Sequence, residues 1–255
     1  MDRRPILLIT GASGRIGSSY RRHLAQTNQT YQLRYTDILP PKQSEISEGE
    51  WVIGNLSEPD FALRVVEGVD TILHLGADPD PEADFYASLL ENNIKATYNL
   101  FQAAAEAQVR KVVYGSSSSV VFGYKKEEPG IQLNTNLTLK PITMYSATKC
   151  FGEATAAVFA QTRGINVFCI RIGWFILYEE LISQSEPDLE IMSRILTDRD
   201  FCHLVDCCLK TDGINYAILN GVSNNRYPFL DLSETRKLVG YNPQDDAFAL
   251  SGIIK

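Results

Sequence analysis

Short apolar runs alternate with amphipathic stretches along the first two thirds of the chain. The apolar runs predict six strands, the first beginning at Ile6 and the others at 31–35, 51–53, 71–75, 111–114 and 166–172. Apolar residues at helical spacing predict helices after Gly17 and at 61–67, 82–107 and 144–162. This alternation predicts an α/β fold, a Rossmann-type doubly wound parallel sheet with right-handed crossovers.

The regular alternation of predicted strands and helices ends at about Gly173. Residues 189–196 and 201–209 are helix-like, residues 216–219 look extended, and a helix is predicted from Ser233 to Val239. Residues 124–142 are polar and predict a surface loop. We therefore expect a large domain at residues 1–172 and a small C-terminal substrate cap at residues 173–255.

Three glycines follow the first predicted strand in the sequence ITGASGRIG. A strand, a glycine turn and a helix start, in this order, bind the pyrophosphate of a dinucleotide. Gly11 would permit the tight turn, Gly14 would let the backbone approach the phosphates, and Gly17 would let the helix lie close to the sheet. The alternative is a glycine-rich turn that binds no ligand.

Residues at the ends of the next strands extend this prediction. Asp37 lies twenty residues beyond Gly17, where an acid accepts hydrogen bonds from the adenosine ribose and so favours NAD. Arg15 and Arg34 are close enough in sequence to bind a 2′-phosphate, so NADP is the alternative cofactor. Asn55 either pairs with the adenine edge or is a turn residue. The predicted cofactor-binding residues in this part of the chain are Gly11, Ser13, Gly14, Arg15, Ile16, Gly17, Asp37, Asn55, Leu56, Leu75, Gly76 and Ala77.

Composition narrows the function classes. The formal net charge is −7 and there is no run of basic residues, so we expect no nucleic acid and no membrane as partner. No long apolar segment precedes the first strand, which predicts neither a signal peptide nor a transmembrane span and favours a cytoplasmic location. Five cysteines without a CxxC pair and three scattered histidines predict no metal site, and His74 is expected to be a packed core residue.

Tyr145 and Lys149 stand four residues apart in a predicted helix and therefore project from one face. A tyrosine has an ordinary pKa of about 10 and is a poor base at neutral pH, but a nearby cation favours its phenolate. Lys149 is expected to supply that cation and to hydrogen-bond the nicotinamide ribose. The alternative is an exposed pair that occurs by chance.

Polar residues also follow the fifth predicted strand and interrupt the helix at 82–107. The serines of residues 116–119 form either a plain loop or a set of hydroxyls at the sheet edge where ligands bind. Asn92 and Asn93 break the apolar stripe of the helix, which raises the question of what their side chains bind.

Together these residues resemble the extended short-chain dehydrogenase/reductase superfamily. The resemblance rests on GASGRIG, Asp37, Asn93 in NNIKATYN, the serine run and YSATK, and it covers nearly the whole chain. It implies that Ser118, Tyr145 and Lys149 are catalytic and that Asn93 helps to order the site. It also implies NAD as cofactor, with Tyr145 and Lys149 among the residues that bind it.

Within that superfamily the chain is similar to uronate dehydrogenases and related short NAD-dependent sugar dehydrogenases. The similarity rests on HLGADPDP, on the Arg-Ile-Gly of residues 171–173, and on GVSNN followed by LDLSETRKLVGYNPQDDA. In uronate dehydrogenases an Asn-His pair follows the catalytic serine, a serine follows Arg-Ile-Gly, and an arginine further on grips the carboxylate. This chain has Ser119 and Val120, Trp174, and Glu190 at those places.

Because the arginine is replaced by an acid, we expect a neutral, hydroxylated small-molecule substrate. The predicted substrate-binding residues are Ser118, Ser119, Trp174 and Glu190. Arg194 lies one helical turn beyond Glu190 and could take the place of the missing arginine, so a uronate is the alternative substrate.

Two other functions are considered. A nucleotide-sugar epimerase or dehydratase uses the same triad, but the chain is short for the lobe that holds a nucleotide diphosphate and has no Asp-Glu pair after Ser118. A non-catalytic dinucleotide sensor would not need the Tyr-Lys pair.

The resemblance also implies a homodimer, because related enzymes pair the helices at 85–107 and 144–162. These helices carry surplus apolar residues here, namely Tyr86, Leu90, Phe151, Val158 and Phe159.

Overall fold

Nine strands occur in the part of the chain that the structure describes. The computed structural model describes residues 3–41, 48–124, 132–183 and 188–252. The strands are β1 (Ile6–Thr10), β2 (Gln32–Asp37), β3 (Glu50–Ile53), β4 (Thr71–His74), β5 (Lys111–Ser117), β6 (Asn166–Ile172), β7 (Trp174–Ile176), β8 (Ile195–Thr197) and β9 (Tyr216–Gly221). Seven of them form one sheet in the order β3-β2-β1-β4-β5-β6-β9, and β7 and β8 form a second sheet.

Helices connect these strands. The α-helices are α1 (Arg15–Thr27), α2 (Pro59–Val66), α3 (Ala96–Glu106), α4 (Met144–Arg163), α5 (Tyr178–Ile182), α6 (Leu189–Met192), α7 (Asp198–Lys210), α8 (Ser233–Val239) and α9 (Ala247–Leu250). A π-helix (Phe85–Lys95) runs directly into α3, and a 3-10 helix (Ser118–Val121) follows β5.

The order of the large sheet places a crevice at the end of β1. Strand β1 pairs in parallel with β2 on one side and with β4 on the other. Strands β3 and β5 extend the two sides in the same parallel sense. The chain therefore reverses its direction of winding at β1, and ligands of doubly wound sheets bind at such a point. The predicted fold class is confirmed.

The described residues fall into two compact units. The first contains the described residues of Met1–Gly115, Thr143–Cys169 and Ile214–Ala217, and the second contains those of Ser116–Ile142, Ile170–Gly213 and Ile218–Lys255. The first unit has fully buried apolar side chains on β1 and β4, namely Leu7, Leu8, Ile9, Ile72 and Leu73. A cluster in the second unit contains Ile176, Leu181, Met192, Ile195, Ala247 and Phe248. The functional division at residues 172 and 173 stays a prediction.

The helix predicted at 82–107 differs from the observed one. Helical structure begins at Phe85, after Asp84, whose side chain accepts a hydrogen bond from the backbone N–H of Ala87. The first eleven residues form a π-helix rather than an α-helix. The wider π-helical turn contains both asparagines, Asn92 and Asn93, and π-helical segments occur frequently at functional sites.

The helix predicted at 189–196 is wrong in its second half. Only Leu189–Met192 is helical, and Ile195–Thr197 is a strand that pairs in parallel with Trp174–Ile176. The backbone N–H of Trp174 donates to the carbonyl oxygen of Arg194 at 2.7 Å, so this backbone pairs with a strand instead of continuing the helix. A three-residue strand is too short to produce a period in the sequence.

Residues 125–131, the centre of the surface loop predicted at 124–142, lie outside the described residues. None of the described helices combines the length and the apolar character that a membrane crossing needs.

Candidate active site and cofactor cavity

The glycine turn brings the end of β1 against the end of β4 in the first unit. Gly11 has a φ of +65°, and a Cβ there would lie 2.7 Å from the backbone nitrogen of Gly76. A Cβ at Gly17 would collide with the carbonyl oxygen of Gly11. Only glycine fits both positions, since one needs a left-handed backbone and the other has no space for a side chain. The turn is therefore as tight as the dinucleotide prediction requires.

The N-terminus of helix α1 faces this turn. Gly14 is its N-cap residue, and no described side chain caps the helix start. A Cβ at Gly14 would meet only the carbonyl oxygen of Gly11, at 3.2 Å. Because the first N–H groups of a helix lack intrahelical partners and carry partial positive charge, this end suits a phosphate.

Arg21, which no sequence motif indicates, supports the turn from within α1. Its side chain is buried, and its Nε donates to the carbonyl oxygen of Ala12 at 2.8 Å. The guanidinium also lies 5.0 Å from the ring centre of Trp51. A buried cation that binds a turn carbonyl fixes the orientation of the neighbouring peptides.

Asp37 stands at the carboxyl end of β2, as predicted. Its Oδ2 accepts a hydrogen bond from the backbone N–H of Ser13 at 2.8 Å, and its Oδ1 accepts one from that of Ile38 at 2.7 Å. Arg34 is one of the two arginines that made NADP an alternative cofactor. Its Nε instead lies 2.7 Å from the Oε2 of Glu50, with which it forms an ion pair. The carboxylate is thus fixed beside the glycine turn, where it suits a ribose diol.

These residues line one cavity of about 480 Å³ in the first unit. The predicted residues that line it are Gly11, Ser13, Gly14, Arg15, Ile16, Gly17, Asp37, Asn55, Leu56, Leu75, Gly76 and Ala77. The other lining residues are Thr36, Ile38, Leu39, Gly54, Asp78, Pro79, Asn92 and Ala96. Asn55 also forms the turn bond of its alternative interpretation, because its Oδ1 accepts from the backbone N–H of Ser57 at 2.9 Å. The tight turn, the uncapped helix start and Asp37 fit a dinucleotide here.

Helix α4 carries the predicted acid–base pair. The helix begins at Met144 with a capping box, in which the Thr143 side chain accepts from the backbone N–H of Ser146 and the Ser146 hydroxyl accepts from that of Thr143. This cap sets the register that puts Tyr145 and Lys149 on one face, one turn apart. The chance alternative of an exposed pair is wrong for Lys149, which is buried.

Lys149 holds a buried ammonium beneath the tyrosine. Its Nζ donates to the carbonyl oxygen of Gly115 at 2.9 Å and lies 5.4 Å and 5.9 Å from the ring centres of Tyr114 and Tyr145. Burial lowers the pKa of Lys149 to about 8. An ammonium at this distance from a phenol favours the phenolate.

Asn93 connects this helix to the cavity wall. Its Oδ1 accepts from the backbone N–H of Asp78 at 2.8 Å, and its Nδ2 donates to the carbonyl oxygen of Asp78 and to the hydroxyl of Thr148, each at 3.1 Å. The Thr148 hydroxyl in turn donates to the carbonyl oxygen of Tyr145 at 2.7 Å. The predicted ordering asparagine thus joins the cavity segment to the Tyr-Lys turn, and Asn92 binds Ser88.

His74 is a buried, neutral residue, in line with its predicted core role. Burial and the nearby Lys149 lower its pKa to about 3. The Thr10 hydroxyl accepts from the backbone N–H groups of Leu75 and Gly76 and lies 2.7 Å from the Nδ1 of His74. Because both lone pairs of that hydroxyl are used, its proton must point to Nδ1, which leaves the His74 proton on Nε2.

The second unit contains the other predicted site residues. Ser118 is buried at the start of the 3-10 helix, and the Ser119 hydroxyl lies 2.9 Å from that of Ser117. Trp174 is half exposed in β7. Glu190 pairs with Arg194, whose guanidinium Nη2 lies 3.4 Å from the Glu190 carboxylate. The roles of these residues toward substrate stay predictions.

A comparison with protein-family models matches residues 7–209 of the chain to the NAD dependent epimerase/dehydratase family. Among curated proteins, the chain is 28% identical to an NAD-dependent glucose-6-phosphate dehydrogenase of Haloferax volcanii, over 94% of each chain. It is 25% identical to an L-arabinose 1-dehydrogenase (NAD(P)(+)) of the same organism, over 94% of this chain and 97% of the relative.

A comparison with solved structures finds a similar fold in a mutant uronate dehydrogenase from Agrobacterium tumefaciens that is complexed with NAD. The TM-score is 0.83 at 28% sequence identity, and the match covers 98% of this chain and 88% of the other. The fold is therefore shared along nearly the whole chain.

Proposed function

Because the chain belongs to the NAD dependent epimerase/dehydratase family, we propose that it is a dehydrogenase that oxidises a hydroxyl group of a neutral sugar or comparable polyol. NAD, which the glycine turn and Asp37 predict, is the cofactor of the family. The observation that carries the proposal is the Tyr145–Lys149 pair, with a buried ammonium against the phenol ring. Such a pair provides a base for a hydroxyl proton at neutral pH.

The proposed mechanism assigns each step to a residue. Tyr145 takes the proton of the substrate hydroxyl, and Lys149 stabilises the phenolate that makes this possible. Ser118 orients the reacting oxygen. NAD, when bound by the glycine turn and Asp37, supplies the hydride acceptor. Asn93 keeps the Tyr-Lys turn in place through Thr148.

The charge of the second unit's predicted substrate residues supports a neutral substrate. Arg194 is largely buried, lies 5.1 Å from the ring centre of Phe122, and forms its ion pair with Glu190. Burial lowers the pKa of Arg194, while the nearby Asp188 raises it. Asp188 and Glu190 both lie near Arg194 and weaken its attraction for a carboxylate or phosphate.

A substrate panel with NAD tests the proposal. Purified enzyme is mixed with NAD and with glucose, arabinose, glucuronate, glucose 6-phosphate or UDP-glucose, and the absorbance of the reduced cofactor is followed. We expect net reduction with a neutral sugar. Conversion of the nucleotide sugar to its epimer without net reduction would establish the epimerase alternative instead.

Variants of Arg194 decide the substrate charge. If the wild type prefers glucuronate over glucose, and Arg194→Ala abolishes that preference, the neutral-substrate proposal is wrong and a uronate takes its place. We expect glucose to be preferred over glucuronate both in the wild type and in Arg194→Ala.

A further inference from the structure

A hydrogen-bonded group of three polar side chains forms part of the cavity wall in the first unit. Asp78 and Asn92 line the cavity, and Ser88 connects them. The Ser88 hydroxyl donates to the Oδ2 of Asp78 and accepts from the Nδ2 of Asn92, the latter at 3.1 Å. The Oδ1 of Asp78 accepts from the backbone N–H of Asp80 at 3.0 Å. The Asp78 carboxylate is therefore held in one orientation.

The backbone of Asp78 is fixed as firmly as its side chain. Asn93 binds both the N–H and the carbonyl oxygen of Asp78, and the same amide group binds Thr148 in the turn between Tyr145 and Lys149. A displacement of the catalytic helix or of the cavity wall would break these bonds. Asp78 is thus preorganised relative to the Tyr-Lys turn, as a recognition group must be.

The Asp78 carboxylate retains the capacity to accept further hydrogen bonds. Its partners among the described residues are one hydroxyl and one backbone N–H, and neither carries a positive charge. Each carboxylate oxygen has two lone pairs, so each retains an acceptor position after these bonds. A half-buried carboxylate of this kind binds hydroxyl groups and repels anions.

We propose that Asp78 is a specificity-determining residue that binds a hydroxyl group of the sugar and disfavours sugars with a carboxylate or phosphate. The inference rests on the proposed function and deepens it, because it names the residue that selects a neutral substrate. Neither the glycine turn nor the Tyr-Lys pair makes this selection.

The test compares Asp78→Asn with the matched control Asp80→Asn. Both changes remove one negative charge from the same segment, but Asp80 is exposed and does not line the cavity. For each variant, kcat/KM is measured with glucose or arabinose and with glucuronate, and the affinity for NADH is measured by fluorescence. Thermal midpoints show whether each variant folds, and Ser88→Ala, which frees one carboxylate oxygen but keeps the charge, serves as a milder second variant.

In Asp78→Asn the preference for neutral over anionic sugar is expected to fall about tenfold or more, since a hydrogen bond to a charged group is lost and a repulsion is removed. Although Asp78 lines the same cavity, NADH affinity should stay within about twofold, because the glycine turn and Asp37, the predicted cofactor contacts, are unchanged. Asp80→Asn should shift the preference by less than about threefold, the effect of a screened surface charge. Ser88→Ala should raise KM for the sugar and keep the preference.

Three outcomes would overturn the inference. An Asp78→Asn enzyme with the preference of Asp80→Asn would show that Asp78 does not select the substrate. A loss of NADH affinity equal to the loss of sugar affinity would make Asp78 a cofactor residue. A wild type that reduces NAD with no sugar of the panel would overturn both the proposed function and this inference, whereas the first two outcomes leave the proposed function standing.

Discussion

At the scale of a single residue, Asp37 is predicted to determine the choice between the two nicotinamide cofactors. Both carboxylate oxygens are fixed by backbone N–H groups, and Arg34, one of the two arginines considered for NADP, is engaged by Glu50, while Arg15 lines the same cavity as Asp37. A 2′-phosphate at this position would meet the negative charge and would lose the ribose hydrogen bonds.

We therefore predict that NADH binds more tightly than NADPH by about a hundredfold, the equivalent of two lost hydrogen bonds to a charged group. Fluorescence titration of the two reduced cofactors measures the ratio. Asp37→Ser should reduce it strongly. Arg34→Gln, which removes the ion pair with Glu50 and the bonds to the carbonyl oxygens of Val65 and Glu67 but leaves Asp37 in place, should not. Equal affinities in the wild type would refute the prediction.

Tyr145 is the predicted base, and a single oxygen atom carries its role. Tyr145→Phe keeps the ring that faces Lys149 and removes only the hydroxyl. Turnover should fall by about two orders of magnitude or more, while NAD binding stays nearly unchanged. Single-turnover kinetics with a competent sugar and fluorescence titration with NADH give the two readouts. A phenylalanine variant with wild-type turnover would show that another residue is the base.

The buried ammonium of Lys149 serves the proposed catalysis but lowers the free energy of unfolding. Its ammonium is buried with one carbonyl partner given by the structure, and its pKa is lowered to about 8, below its value of about 10.4 in an unfolded chain. The unfolded state therefore holds the proton more tightly, so the cost is fully present below pH 8 and disappears as the pH rises past about 10.4.

Lys149→Met should abolish turnover and yet stabilise the protein at pH 7, by at most about 3 kcal/mol, since one pKa unit corresponds to about 1.4 kcal/mol. Denaturant unfolding at pH 7 and pH 10 measures this effect. The gain must shrink at the higher pH, where the wild-type lysine is neutral in the folded state. A variant that is less stable than the wild type at pH 7 would contradict the argument.

At the scale of elements, the sequence predicts best where a regular period is long or its limits are marked. The observed β6 and α8 have the predicted bounds, because a seven-residue apolar run and a serine start define them. The π-helix was predicted as α-helical, because the hydrophobic period does not distinguish the two. Strands β7 and β8 were missed, because their three residues are specified by pairing between distant segments.

Asn93 illustrates how an element can be shaped by a side chain. It bridges Asp78 and Thr148 from within the π-helix. Asn93→Ala leaves a backbone N–H and carbonyl of Asp78 without these partners and should cost about 1–3 kcal/mol for each group that stays buried. Turnover should fall about tenfold or more, since the Tyr-Lys turn loses its link to the cavity.

Thermal unfolding and kcat measurements check the Asn93 prediction. The control is Gln102→Ala in α3, where the lost bond is an exposed one to Glu106. It should change either quantity only slightly. If Asn93→Ala behaves like this control, the asparagine bridge has no part in ordering the site.

At the scale of the whole molecule, the sequence predicts the residues at strand ends better than the residues that surround them. Twelve of the fourteen predicted cofactor residues line the observed cavity, and the other two, Tyr145 and Lys149, are not among its lining residues. Asp78 and Arg21 were not predicted, because their importance depends on contacts with Asn93, Ala12 and Trp51 that no local motif specifies. The substrate residues of the second unit stay predictions, because their sequence departs from that of uronate dehydrogenases.

Association is the remaining property at this scale, and the outer surface of two helices bears on it. Tyr98 on α3 and Val158 on α4 are 49% and 55% exposed, and Tyr86 on the preceding π-helix is 80% exposed. Phe159, which we expected on this surface, is instead buried against Phe101, with ring centres 5.7 Å apart. The exposed apolar residues that remain lie on the two helices for which the family resemblance implies pairing across a two-fold axis.

We predict a homodimer that buries this surface. Light scattering at micromolar concentration should give twice the chain mass for the wild type and a single chain mass for Val158→Glu, because a charge in the centre of an apolar interface is desolvated without a partner. Leu63→Glu is the matched control, since Leu63 is also an exposed apolar residue of the first unit but lies on α2. It should remain dimeric. A monomeric wild type would mean that these side chains face solvent, and a Leu63→Glu monomer would move the interface to α2.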